Sequence, residues 1–248
     1  MRAGSAKSIC TECQNDVTLH STKNKVEEMR TNISTCYELM DVIEELGFLP
    51  LLDGGIAGFS AEEMVDADCR YVVTADGWDW PLWKWKGPII TEGDCVYGKF
   101  FAGKAGFVAR KWWPDWCNWR RSNSKEIAPG SIEETIMITL QMHGSLITRE
   151  LRALCGFTGS KMRSRFDSYV TRLQMQCRIV TEDFVYPRDR HGREYGWGWS
   201  LLTTPERLLG EEMCHSDNTP EESHALIAKH LHNILPTATD AQIDRLIG

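Results

Sequence analysis

Lys161, Arg163 and Arg165 alternate with Met162 and Ser164 directly after the stretch Gly-Phe-Thr-Gly-Ser, and Arg172 follows on the same run. Arg188, Arg190 and Arg193 crowd a second polar stretch, Pro-Arg-Asp-Arg-His-Gly-Arg. Cations gathered at one helix start and one loop are suited to phosphates, because each neutralised phosphate releases bound counterions. From Arg149 to Arg193 there are ten Lys or Arg against five Asp or Glu, an excess of +5 inside a protein of net charge -7. The overall charge excludes a chain that is basic throughout, so any nucleic-acid contact rests on this one face.

The elements that position these cations lie between Ser131 and Pro205. Ser131 with Glu134 has the spacing of a capping box, and Ile132, Ile136, Ile138, Leu140 and Met142 make a first helix that Gly144 ends. Thr148 is expected to cap a second helix, with Leu151, Leu154 and Cys155 inward. After the Gly156–Gly159 turn, Ser160 opens a third helix with Met162, Phe166 and Tyr169 toward the core. Lys161, Arg163, Ser164, Arg165 and Arg172 then face outward, and two strands around the Arg188–Arg193 turn follow. This is the order of a winged helix-turn-helix, whose third helix enters the major groove through its N-terminal residues. Winged helices also serve as dimerisation modules, so a protein-interaction scaffold, acting as a homodimer, stands beside DNA as the expected partner.

Aromatic rings form the second concentration of chemistry. Eight of ten tryptophans fall at 78, 80, 83, 85, 112, 113, 116 and 119, interleaved with Lys84, Lys86, Lys99, Lys104, Arg110, Lys111, Arg120 and Arg121. Exposed rings between cations can stack on bases, each stack contributing about 1–3 kcal/mol. A stacking platform needs only two or three rings, so most of these are expected in a core, with Trp83, Trp112 and Trp116 as candidates for a cleft. Between the ring clusters, Val96–Phe101 and Phe107–Ala109 around Gly103-Lys104 have the pattern of a β-hairpin.

These pieces predict an α+β chain. It divides into a polar leader (1–35), a Trp-rich α/β domain (36–121), a linker (122–130), a winged helix (131–208) and a short acidic helical tail (209–248). Cys10 and Cys13 have zinc-ligand spacing and His20 follows, but no second pair lies at finger distance, so no metal is expected. Nine scattered cysteines without a secretory signal read as reduced thiols in a cytoplasmic protein. No stretch reaches the ~18 apolar residues of a membrane-spanning helix. The chain also has no Gly-x-Ser-x-Gly, His-Glu-x-x-His or phosphate-cradling loop, and no cofactor is expected.

Two blocks carry a resemblance. Tyr-Gly-Lys-Phe-Phe-Ala-Gly-Lys-Ala-Gly-Phe-Val-Ala-Arg-Lys-Trp-Trp-Pro follows the Trp-x-Trp-Pro-Leu-Trp run, and Arg-Leu-Gln-Met-Gln-Cys-Arg-Ile-Val precedes Glu-Tyr-Gly-Trp-Gly-Trp-Ser-Leu-Leu-Thr-Thr-Pro-Glu. Together they resemble AlkZ-related bacterial proteins, distant relatives of the AlkZ/YcaQ-type winged-helix DNA glycosylases, over residues 36 to 210. The resemblance implies a winged helix, association with DNA, and excision of alkylated or cross-linked bases as an activity. Those glycosylases position the attacking water with a Gln-x-Gln or Gln-x-Asp pair, which here points to Gln174 and Gln176 as catalytic candidates. Alternate residues of a strand would aim both amides one way. The pair stands where the third helix runs into the first wing strand, whereas the glycosylases carry theirs near the N-terminus. The leading expectation is therefore a non-enzymatic DNA-binding protein, with a glycosylase-like repair enzyme as the alternative.

Overall fold

The computed structural model describes residues 31–75 and 77–248; Cys10, Cys13 and His20 lie outside them. Helix α1 (Cys36–Leu46) starts with a reciprocal capping box between Thr35 and Glu38 and buries Leu39, Val42, Ile43 and Leu46. Gly47 ends it at φ 78. A Cβ there would meet the Trp112 indole at 2.5 Å, so both backbone and space demand glycine. Strand β1 (Phe48–Pro50) follows, and Pro50 is tolerated because β1 lies at the sheet edge. A short helix α2 (Ala61–Met64), capped by Ser60, leads to a separate two-stranded hairpin, β2 (Val72–Thr74) and β3 (Gly77–Asp79).

Pro81 opens α3 (Pro81–Glu92), where its missing N–H would be unbonded in any case. The expected hairpin is present as β4 (Cys95–Phe101) and β5 (Lys104–Ala109). Its two turn residues, Ala102 and Gly103, have φ 49 and 82, both positive as in the tight turns that match strand twist. Helix α4 (Trp113–Ser122) closes the Trp-rich half.

The second half runs α5 (Ile132–His143), β6 (Leu146–Ile147), α6 (Thr148–Leu154), α7 (Arg163–Met175), β7 (Val180–Val185) and β8 (Trp199–Thr203). Three helices and then two strands are the order read from the sequence, with β6 added beside β8. Thr148 differs from its expected role: Ile147 is the N-cap, and the Thr148 hydroxyl instead donates to the Ser200 carbonyl, tying α6 to β8. Leu154 and Met162 are also exposed rather than inward, since Leu151, Phe157 and Phe166 already fill the space beneath them.

All six main strands join one antiparallel sheet, in the order β1-β5-β4-β7-β8-β6. Beneath it, one core gathers the Trp-rich half together with Cys177, Val180 and Phe184 from the second half. A smaller core of Ile136, Leu140, Leu151, Phe166, Val170, Leu173, Ile179 and Leu202 fills the three-helix unit. After a short α8 (Pro205–Leu209), the terminal helices α9 (Pro220–Ile234) and α10 (Asp240–Ile247) return to the first core through Ile227, Leu231, Ile243, Leu246 and Ile247. The chain is α+β.

Candidate nucleic-acid interface

A 3-10 turn over Ser160–Met162 feeds α7, and burial of Phe166, Val170 and Leu173 fixes which face of that helix is turned out. Lys161, Arg163, Ser164 and Arg165 are exposed at its start. Among the described residues none of these three cations is paired with a carboxylate. The first-turn N–H groups and the positive end of the helix dipole add to their pull on an anion. Arg172, two turns on, is instead held by Glu133 and lies against the Tyr169 ring.

The wing arginines are exposed but largely spoken for. Arg188 pairs with Glu194 at 3.0 Å and Arg193 with Asp189 at 3.1 Å. Arg190 donates to the His191 ring and has no acidic partner among the described residues. Asp189 also accepts the backbone N–H groups of Arg193 and His191, which holds its carboxyl below the usual range and shapes the loop.

The two glutamines occupy different places. Gln174 is buried inside α7, and its side-chain oxygen accepts the Lys99 N–H at 2.9 Å. That N–H falls where the β4–β5 register shifts between Gly98 and Phe101, so the glutamine occupies an irregularity of the sheet. Gln176 caps the C-terminus of α7 and lines a depression with Ser131, Glu133 and Arg172. The strand alternation that would align the two amides does not apply, because the pair sits at a helix end.

A second concavity of about 470 Å³ opens between β3, the start of α3 and the β7–β8 loop. Its walls are Trp78, Trp80, Trp83, Tyr186, Tyr195 and Trp197, with Asp79, Lys84 and Glu194 as its charged groups. Trp83 is thus at a cleft, and its indole N–H donates to the Trp197 carbonyl at 3.1 Å. Trp112 packs on Phe48 and His230, and Trp116 is fully enclosed against Phe48 and Phe101; neither lines this cleft. Trp197, Tyr195 and Tyr186 come from a loop over a hundred residues downstream, and only its Tyr-Gly-Trp-Gly-Trp run hinted at them.

Lys86 stands directly behind this wall. The sequence grouped it with the cations between the rings, yet it is completely buried, its ammonium 3.7 Å from the Trp83 ring and 4.0 Å from Phe184. Its polar neighbours are the Trp83 carbonyl and the Tyr186 hydroxyl. Burial pushes its amine down to about 7.

A family model described as AlkZ-related matches residues 33–248. The chain belongs to the AlkZ-related family. Comparison with curated proteins and with solved structures gave no match. For this AlkZ-related chain the family relation points toward DNA repair and extends from α1 through α10, so the terminal helices are part of the family unit. Among the described residues no group of side chains is arranged to hold a metal ion, and no helix is long and apolar enough to cross a membrane.

Proposed function

We propose that this AlkZ-related protein binds duplex DNA through the start of α7, used as the recognition helix of a winged helix, and performs no chemistry on it. One observation carries the reading: Lys161, Arg163 and Arg165 are exposed at a helix N-terminus with no carboxylate partner among the described residues, while Arg172, Arg188 and Arg193 are paired with acids and Arg149 lies over the Trp199 ring. Within an acidic protein, three such cations gathered at one helix start offer DNA a local point of approach. Fluorescence anisotropy with a blunt duplex at several salt concentrations tests it. Affinity falls with salt, with a log–log slope of about -0.9 for each phosphate neutralised. Arg163→Glu with Arg165→Glu lowers affinity at least tenfold and flattens that slope; unchanged affinity refutes the proposal.

A second reading, a base-repair enzyme acting on alkylated or cross-linked bases, is favoured by the family relation and by the aromatic cleft, whose 470 Å³ accommodates an extruded base. In this reading the reacting base sits against Trp83, away from Gln174 and Gln176. Release of an alkylated base from duplex DNA by the native protein, lost in Trp83→Ala, supports it. Absence of release from every alkylated and cross-linked substrate tried rejects it.

A further inference from the structure

Two rings in the wall of the aromatic cleft, Trp78 and Trp197, form with Tyr71 a column that the core does not need. Tyr71 stacks on Trp78 with centroids 5.3 Å apart and planes 21° apart. Trp78 stacks in turn on Trp197 at 4.8 Å and 23°. The three come from the β2–β3 hairpin region and from the β7–β8 loop, so the column joins two otherwise separate segments. Trp80 and Trp83, stacked on each other at 5.0 Å, meet Trp197 nearly at right angles, at 87° and 86°. About half of each column ring remains in water: 53% of Tyr71, 50% of Trp78 and 46% of Trp197. Rings placed for core packing would be covered, and an exposed apolar cluster of this kind marks a contact surface. Among the described residues no further ring lies parallel to Tyr71 or to Trp197, so the stack is three rings long.

We propose that this column binds the unpaired bases of a single-stranded DNA segment by extending its own stack, in a DNA whose duplex part α7 holds. This rests on the DNA-binding reading above and adds the form of DNA that the protein prefers: a duplex carrying an unpaired stretch. Parallel rings that are each about half in water offer the π-faces that unpaired bases stack on, and every base has such a face, so binding is tolerant of sequence. Paired bases inside a duplex hide theirs. The neighbouring loop supplies matching charge, with three arginines against two acids over Tyr186–Gly198, and Arg190 has no carboxylate partner among the described residues. A partner protein with an apolar face could cover the rings, but it would have no use for stacking ends flanked by an arginine without an acidic partner.

The test uses the full chain and three labelled probes: a blunt hairpin duplex, the same hairpin with a short single-stranded overhang, and the free strand. The overhang is expected to raise affinity about tenfold over the blunt hairpin, within the range of one stacked base, and to quench tryptophan fluorescence. Tyr71→Ala and Trp197→Ala remove that increment and leave blunt-duplex binding intact. Trp197→Tyr, which keeps a ring, restores most of it and guards against a variant that merely misfolds. Arg163→Glu with Arg165→Glu lowers binding of blunt and overhang probes together. If that charge reversal changes nothing while the ring variants still lose the overhang, the α7 reading fails and the column survives. An overhang without effect, or an increment untouched by the ring variants, overturns the proposal. So does a concentration-dependent dimer that Tyr71→Ala dissolves, since the column would then cover a second copy.

Discussion

Lys86 sits in an unusual balance. Its ammonium faces two rings, a carbonyl and a hydroxyl, with no carboxylate paired to it among the described residues, and burial pulls its amine from 10.5 down to about 7. The unfolded chain keeps the proton up to about 10.5 and the folded chain only to about 7. Between those values the unfolded state binds more protons, so stability rises with pH, by about 1.4 kcal/mol per unit. Below 7 both states are charged and the slope vanishes. Lys86→Met fills the same space without the charge; urea unfolding at pH 7, 8 and 9 is expected to show a more stable variant at pH 7 and the loss of this slope. Gln174 makes the opposite case, a polar group whose removal hurts. Gln174→Ala leaves the Lys99 N–H without its acceptor and should lower stability by about 1–3 kcal/mol in the same assay. Neither role was legible beforehand. A lysine between tryptophans and a Gln-x-Gln pair both suggest surface chemistry, and only the third dimension reveals what encloses them.

Among the elements, the terminal helices depend on one carboxylate. Asp115 on α4 accepts from the Ser216 hydroxyl at 2.6 Å, the Asn218 amide at 2.9 Å and the Ser223 hydroxyl at 2.7 Å, which fixes the approach and first turn of α9. Partial burial raises its carboxyl, and these three hydrogen bonds outweigh that and hold it below the usual range. The sign follows: a depressed folded value means stability present above the unfolded carboxylate value, about 3.9, and lost as acid titrates the folded group. Asp115→Ala is expected to cost about 1.5–3 kcal/mol and to expose residues 216–248 to limited proteolysis before the rest. A digestion pattern like that of the native protein would show that the apolar contacts of Ile227 and Leu231 suffice. The start of α5 was readable, because Ser131 announces itself with a carboxylate, Glu134, three residues on. The β4–β5 hairpin was readable from its alternation and glycine. The β2–β3 hairpin was not, since Tyr-Val-Val-Thr-Ala-Asp-Gly-Trp-Asp shows no burial pattern to read and owes its place to ring stacking across the chain.

At the scale of the molecule, the sequence reads as two parts with a linker between, and the backbone binds those parts together. Strand β4 of the Trp-rich half pairs with β7 of the second half at Tyr97 and Thr181, so one sheet crosses from β1 to β6. The join is reinforced from several sides: Phe184 packs edge-on against Tyr97, Arg121 donates to the Cys177 carbonyl, and Arg121 also pairs with Glu206 at 2.6 Å. These contacts are long-range in sequence, which is why composition shifts at 122–130 could not reveal them. Physically, a sheet shared by two cores couples their unfolding, because melting either core strips backbone partners and apolar cover from the other. Calorimetry is therefore expected to record one transition, with van't Hoff and calorimetric enthalpies in agreement, instead of two. Thr181→Pro removes a backbone donor at the join and places a rigid ring in a central strand, where proline is not accommodated. In that variant the single transition should fall in temperature and split, the three-helix unit with its smaller core melting first. A native protein that already melts in two steps would mean that the shared strand pairing is too weak to couple the cores.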